Sequence, residues 1–96
     1  MEEVDMGMRV HIVVIGHVQG VGFRYYTFKK AREIGIAGFV KNLPDGTVEI
    51  EAEGERSLLE ELIEAVKVGP RTAVVNDLHI NWEEPTGEYQ NFSVEY

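Results

Sequence analysis

Two hydrophobic periodicities alternate along this chain, and their order limits the folds that it can adopt. Residues 9–15 are rich in β-branched side chains and apolar on both faces, which is typical of a central strand. Residues 23–34 carry apolar side chains at steps of three and four, which predicts a helix. Two strands are then predicted, at 36–43 and 47–53, joined by the turn sequence Pro44-Asp45-Gly46.

The second half of the chain repeats this arrangement. Ser57 and Glu60 form a capping-box pattern at the start of a second predicted helix, which ends before Gly69-Pro70. A fourth strand is predicted at 74–83 and a short terminal edge strand at 92–96. The order is β-α-β-β-α-β plus an edge strand. Two right-handed β-α-β units sharing one antiparallel sheet give the ferredoxin-like split sandwich of the α+β class, with both helices on one face.

Residues 47–53 alternate strictly between apolar and acidic side chains. Val48, Ile50 and Ala52 are predicted to face the helices, whereas three glutamates are predicted to face solvent on the other side of the sheet: Glu49, Glu51 and Glu53. An RNA-recognition domain of the same topology would need aromatic and basic residues on its central strands. This strand therefore argues against RNA binding.

Composition sets further bounds. The 96 residues suffice for one domain, predicted at 9–96 after a short acidic lead-in at 1–8. The net charge of −8 opposes binding to nucleic acid or to an anionic membrane, and no apolar stretch approaches the roughly 20 residues of a membrane span. The chain has no cysteine, and acids rather than a basic signal region follow Met1. A cytoplasmic monomer is expected.

A glycine-rich loop, GHVQGVG, separates the first strand from the first helix at residues 16–22. Backbone N–H groups in such a loop can converge on an anion beside the positive end of the helix dipole, and Arg24 adds donors suited to phosphate. No Gly-Lys-Ser/Thr follows, and Tyr25 stands where a dinucleotide fingerprint needs glycine. The loop alone is equally compatible with a tight structural turn.

The distribution of charge favours the anion site. Residues 17–41 hold five basic residues and one acid, a net charge of +4, while the rest of the chain holds four basic and sixteen acidic residues, a net charge of −12. No carboxylate occurs between Met6 and Arg32. A helix with a basic solvated face would give a similar pattern, but the glycine loop lies in the same segment.

Three segments in register resemble the acylphosphatase family: VQGVGFR at 18–24, GFVKN at 38–42 followed by Gly46 and Gly54, and the closing YQNFSVEY at 89–96. The resemblance covers nearly the whole chain and implies the same ferredoxin-like fold. It also implies hydrolysis of an acyl phosphate, a small-molecule substrate, to carboxylate and inorganic phosphate, with no cofactor.

The resemblance also implies the site residues. Main-chain N–H groups from Gln19 to Arg24 would cradle the phosphate and Arg24 would grip its oxygens, while Asn42 would orient the attacking water. The implied phosphate-binding loop is His17, Val18, Gln19, Gly20, Val21, Gly22 and Phe23. The simpler alternative for Asn42 is an asparagine that caps the following turn.

The three histidines of the sequence are interpreted differently. His17 stands where many family members carry arginine, so it either tunes phosphate affinity or is a solvated loop residue. His11 and His79 have no carboxylate or cysteine at ligand spacing, and the basic segment lacks carboxylates for magnesium, so no metal is expected.

Two other functions fit the same fold. One is a non-catalytic anion-sensing module. The other is a carbamoyl-phosphate-handling unit, as in the acylphosphatase-like domain of a hydrogenase-maturation carbamoyltransferase. The presence of both Arg24 and Asn42 argues against each of them.

Overall fold

The computed structural model describes residues 7–96 and confirms the ferredoxin-like fold. Its elements are β1 (Met8–His17), α1 (Phe23–Ile34), β2 (Ala37–Asn42), β3 (Val48–Gly54), α2 (Arg56–Val68), β4 (Val74–Glu83) and β5 (Phe92–Glu95). Residues 1–6 of the predicted acidic lead-in lie outside the described residues. Met8, which was assigned to the lead-in, belongs to β1. Within residues 7–96, no helix combines the length and apolar character that a membrane span requires.

One five-stranded sheet, in the order β4-β1-β3-β2-β5, carries the fold. Strand β3 pairs antiparallel with both β1 and β2, so that Ile50 lies opposite Ile12 on one side and Val40 on the other. These residues face the helices and are fully buried with Leu59, Leu62 and other apolar side chains of one core. Because side chains alternate along a strand, this register sends the intervening residues to the open face, the sheet face opposite the helices.

The terminal strand makes the sheet mixed rather than wholly antiparallel. Four strands pair antiparallel as expected, but β5 pairs in parallel with β2, with Gly38 opposite Phe92 and Lys41 opposite Glu95. The chain leaves β4 at one edge and must cross the sheet to reach β2 at the other. Because β4 ends opposite Arg9, at the end of the sheet where β1 and β2 begin, the chain crosses there and enters β5 in the same direction as β2.

The predicted capping box of the second helix is wrong. The residue before α2 is Glu55, in an extended conformation, and no side-chain hydrogen bond caps the helix among the described residues. Ser57 lies inside the helix. Glu60 instead pairs with Arg56 at 3.0 Å, one turn apart, so the side chain that the pattern assigned to the cap is used on the helix surface.

The acidic face of β3 is also different from the prediction, because Glu51 and Glu53 are buried, with 8% and 9% of their surface exposed. The Nε of Arg9 donates to Glu51 Oε2 at 2.7 Å. Glu53 accepts three hydrogen bonds: from the N–H and hydroxyl of Thr86 at 3.0 and 2.6 Å, and from the Gly87 N–H at 2.9 Å. The connection between β4 and β5 covers this part of the open face, and each buried carboxylate is satisfied by a donor.

We predict that Glu53 makes the stability of the fold sensitive to acid. Burial acts to raise the pKa of this carboxyl, but the hydrogen bonds from Thr86 and Gly87 and the charge of Arg9 outweigh it, so the pKa lies below the ordinary value of 4.5. The ionised form therefore contributes stability that is complete above about pH 4.5 and is lost as pH falls through the lower, folded-state pKa. Urea unfolding at several pH values should show that the free energy of unfolding decreases as pH is lowered, and that this decrease is smaller in Glu53→Gln. The exposed Glu61→Gln is the control, and an unchanged profile in Glu53→Gln would contradict the prediction.

The hydroxyl of Thr27 gives a second prediction. Thr27 is fully buried in α1, and its Oγ1 has no hydrogen-bond partner among the described residues. An unpaired buried hydroxyl costs about 1–3 kcal/mol, and valine has the same shape without it. Thr27→Val should therefore raise the free energy of unfolding by about 1 kcal/mol in urea titrations. Thr27→Ser, which keeps the hydroxyl and loses the methyl group, should lower it; a destabilised valine variant would mean that the hydroxyl is bonded in solution.

Candidate active site

A cleft of about 200 Å³ opens where β1 and β2 end. Its walls come from the loop after β1, the first turn of α1, the last residue of β2 and the terminal strand. The lining residues are Val18, Gly20, Gly22, Phe23, Arg24, Tyr25, Asn42, Val94 and Tyr96. The glycine loop, the arginine and the asparagine singled out in the sequence thus meet at one place.

The backbone of the loop depends on two glycines in left-handed conformations. Gly20 has φ 73° and Gly22 has φ 79°, and, apart from the adjacent residues in the chain, no atom of residues 7–96 lies within 4 Å of the position that a Cβ would take at either one. Glycine is therefore required there by the backbone angle rather than by crowding. Gly22 precedes α1, which has no acid in its first turn and no side-chain cap from any described residue. The first N–H groups of α1 have no intrahelical acceptor and form the positive end of its dipole.

Two hydrogen-bonded links hold this loop in place. The Gln19 side chain donates to the carbonyl oxygens of Leu43 and Thr47, at 2.7 and 2.8 Å. The Val21 carbonyl accepts from the Thr72 hydroxyl at 2.6 Å. Neither Gln19 nor Val21 lines the cleft, although both were included in the phosphate-binding loop. The Gln19 side chain and the Val21 carbonyl connect the loop to its neighbours, and Gln19 joins it to the turn that follows Asn42.

Arg24 lies in the first turn of α1 and is partly exposed in the cleft. Its Nη1 donates to the Glu95 carbonyl oxygen at 3.3 Å, and its guanidinium carbon lies 4.6 Å from the centre of the Tyr96 ring. A cation above an aromatic face is attracted by the ring electrons. The terminal strand therefore restrains the arginine from one side, and its remaining donors can bind a ligand.

Asn42 is the last residue of β2, opposite Val48. Its carboxamide oxygen is buried and has no hydrogen-bond partner among the described residues. Turn capping, the simpler alternative, is performed by another residue: Asp45 Oδ1 accepts from the N–H and hydroxyl of Thr47 at 3.0 and 2.6 Å. The hydrogen-bonding capacity of Asn42 is thus not used by the turn.

The structure separates His17 from the cleft and adds three residues that the sequence reasoning did not assign to it. His17 is the exposed last residue of β1, opposite Val74. Tyr25, Val94 and Tyr96 line the cleft instead. The signal for Tyr25 was its position after Arg24 in the basic segment. Val94 and Tyr96 reach the cleft through the parallel pairing of β5 with β2, which no local pattern indicates.

The cleft and the open face of the sheet differ sharply in charge. No carboxylate, histidine or cysteine lines the cleft in the described part of the chain. On the open face, one donor atom each of His11, Glu51 and Glu83 lie within 4.8 Å of one another. Strand register, rather than sequence spacing, brings these potential metal ligands together. The Arg9 guanidinium bound to Glu51 already supplies positive charge to this cluster, and Glu51 raises the pKa of Arg9 above its ordinary value despite the opposing effect of burial.

Comparisons with known proteins agree with this geometry. The acylphosphatase family model matches residues 10–94. An acylphosphatase of Trichormus variabilis is 50% identical over 80 residues, which are 83% of this chain and 79% of the relative. The crystal structure of acylphosphatase from Bacillus subtilis superposes with a TM-score of 0.90 at 40% identity, over 93% of this chain and 99% of that one.

A larger protein contains the same unit. Full-length HypF, in its phosphate- and nucleotide-bound form, matches with a TM-score of 0.88 at 31% identity, over 100% of this chain and 13% of HypF. The family model, the identity across most of the Trichormus relative and the superposed Bacillus structure together leave one assignment: this chain belongs to the acylphosphatase family.

Proposed function

We propose that this protein hydrolyses acyl phosphates to a carboxylate and inorganic phosphate, by in-line attack of water and without a metal ion. The observation that carries the proposal is the convergence of the glycine loop, Arg24 and Asn42 on one cleft, which no carboxylate of residues 7–96 lines. The acylphosphatases of Trichormus variabilis and Bacillus subtilis support the reaction type.

The phosphoryl group binds at the start of α1. The N–H groups of the loop and of the first helical turn donate hydrogen bonds to the phosphate oxygens. The planar Arg24 guanidinium binds two of these oxygens. A neighbouring carboxylate would repel a dianion, so the composition of the cleft suits this ligand. Phosphoryl transfer requires mainly positioning and stabilisation of charge on the equatorial oxygens, which these donors supply.

Asn42 orients the water that attacks phosphorus. An amide can accept a hydrogen bond from water and donate one, and it carries no charge that would repel the substrate. The water oxygen forms the new P–O bond as the bond to the acyl oxygen breaks, and a phosphate oxygen takes the water proton. The carboxylate leaves with the electron pair; because its conjugate acid has a pKa of about 4, no general acid is needed.

Replacement of Arg24 tests both binding and catalysis. Arg24→Ala should abolish benzoyl phosphate hydrolysis, measured with chelator present, together with inhibition by inorganic phosphate, since one guanidinium serves the bound phosphate and the transition state. Arg32→Ala is the matched control, because Arg32 is an exposed arginine in the last turn of the same helix. Undiminished activity of Arg24→Ala would refute the assignment, and turnover by wild type that requires a metal would refute the metal-free mechanism.

The same assay separates the enzyme from the anion-sensing alternative. HypF shows that a similar unit can form a small part of a larger chain, so phosphate binding alone would not prove turnover. A folded wild-type protein that binds phosphate and hydrolyses no acyl phosphate would support the sensing module.

Replacement of Asn42 tests the water-positioning role. Asn42→Ala should lower kcat by about 10²- to 10³-fold, the scale for loss of one positioned hydrogen-bonding group, while inorganic phosphate still binds. Asn81→Ala, an exposed asparagine of β4, controls for loss of an amide elsewhere in the sheet. Loss of phosphate binding by a folded Asn42→Ala protein would mean that Asn42 shapes the binding site instead of orienting water.

A further inference from the structure

The connection between β4 and β5, residues 84–91, crosses the open face of the sheet from one edge to the other. Several contacts hold it there. Glu53 binds Thr86 and Gly87, and the Arg9 guanidinium lies 3.6 Å from the Glu88 carboxylate and 5.8 Å from the centre of the Tyr89 ring. The Tyr89 ring also packs edge-on against Phe39 at 6.0 Å, and the Asn91 carbonyl oxygen accepts from the Gly38 N–H at 3.1 Å. This crossing determines where β5 begins.

Glu53 is the most fully bonded of these anchors. Its two oxygens together accept three hydrogen bonds, and the residue is 9% exposed. Hydrogen bonds to a charged acceptor are shorter and stronger than neutral ones. The other contacts with the sheet are a longer ion pair, two ring contacts and a backbone hydrogen bond, and they all involve residues 88–91, so the conformation of residues 86 and 87 depends chiefly on this carboxylate.

The strand that follows forms part of the cleft. β5 is four residues long, and its carbonyl at Glu95 accepts the hydrogen bond from Arg24. Val94 and Tyr96 line the cleft, and the Tyr96 ring lies under the guanidinium. So short a strand has few ladder hydrogen bonds of its own, and its placement relative to α1 relies on the buried Phe92 and on the connection that precedes it.

We infer that Glu53, on the opposite face of the sheet from the helices, is a positioning residue for Arg24. It fixes Thr86 and Gly87, which set the entry of the chain into β5, and β5 holds the guanidinium in the cleft. The inference rests on the proposed function for its kinetic effect, although its effect on phosphate binding can be measured without turnover.

Glu53→Gln keeps the shape of the side chain and removes its charge and part of its capacity to accept hydrogen bonds. We expect the Kd for inorganic phosphate and the KM for benzoyl phosphate to rise together by about 2- to 30-fold, the range for residues that act through a packed network, with a smaller change in kcat. Amide hydrogen exchange should accelerate in Phe92–Glu95 but not in the central strand β1. Glu49→Gln is the matched control, because Glu49 lies on the same face of β3 and bonds His11 rather than the connection.

A second pair of variants, at Thr86, tests the hydrogen bond between Thr86 and Glu53 by changing the donor instead of the acceptor. Thr86→Val removes the hydroxyl that donates to Glu53 and should reproduce the effects of Glu53→Gln, whereas Thr86→Ser keeps it and should behave as wild type. This pair decides the question if Glu53→Gln does not fold.

The outcomes are distinct. Faster exchange in β5 with unchanged phosphate affinity would overturn the inference, and so would an equal loss of affinity in Glu49→Gln. Weaker phosphate binding in Glu53→Gln and Thr86→Val alone would support it. If wild type binds phosphate in this Glu53-dependent way and hydrolyses nothing, the proposed function fails and the positioning role stands.

Discussion

Strand β3 is the constraint on which the cleft depends. Because β3 pairs antiparallel with both β1 and β2, β1 and β2 run in the same direction, and their last residues lie at the same end of the sheet. The loop after β1 and Asn42 at the end of β2 therefore meet. A shift of β3 by one residue would turn Ile50 to the open face and place glutamates in the core. The burial that stabilises the fold and the geometry of the cleft are thus set by one register.

The same register separates the charges of the molecule. Strand β3 exposes or pairs its glutamates on the open face, where Arg9 and the connection between β4 and β5 satisfy those that are buried. The cleft, at the end of the strands, has a guanidinium and backbone N–H groups but, in the part of the chain that the structure describes, no carboxylate. A chain with a net charge of −8 can therefore offer a dianionic phosphate a locally positive site.

Sequence periodicity predicts most of the fold, because alternation and helical spacing report which side of each element is buried. The ferredoxin-like arrangement follows from the order of those elements, and the place of Arg24 and Asn42 follows from motifs in register with them. The burial of Glu51 and Glu53 could not be predicted in this way. Alternation shows which face a glutamate occupies, but residues 84–91 have no periodicity that would indicate what covers that face.

Contacts between distant segments escape prediction for the same reason. The parallel pairing of β5 with β2 brings Tyr96 to Arg24 from 72 positions along the chain, and strand register places Glu51 directly opposite His11. The error in the helix start has a different cause. Ser57 satisfies a local capping pattern, but the extended Glu55, two residues earlier, is the last residue before the helix, which begins at Arg56. Where a local sequence pattern is compatible with more than one helix start, the tertiary structure determines which one forms.

Several departures from ordinary local preference meet at the cleft. Among the described residues, two glycines with left-handed angles, a helix start without a side-chain cap and a buried amide oxygen without a partner all occur within it. The uncapped helix start and the unpaired amide oxygen cost stability in the unliganded fold, and both leave polar groups available to a ligand. Such departures also occur outside the cleft: within residues 7–96, α2 likewise begins without a side-chain cap, and the unpaired hydroxyl of Thr27 is buried in the core. An orphaned polar atom therefore indicates function here only where several converge on a space that a ligand can enter.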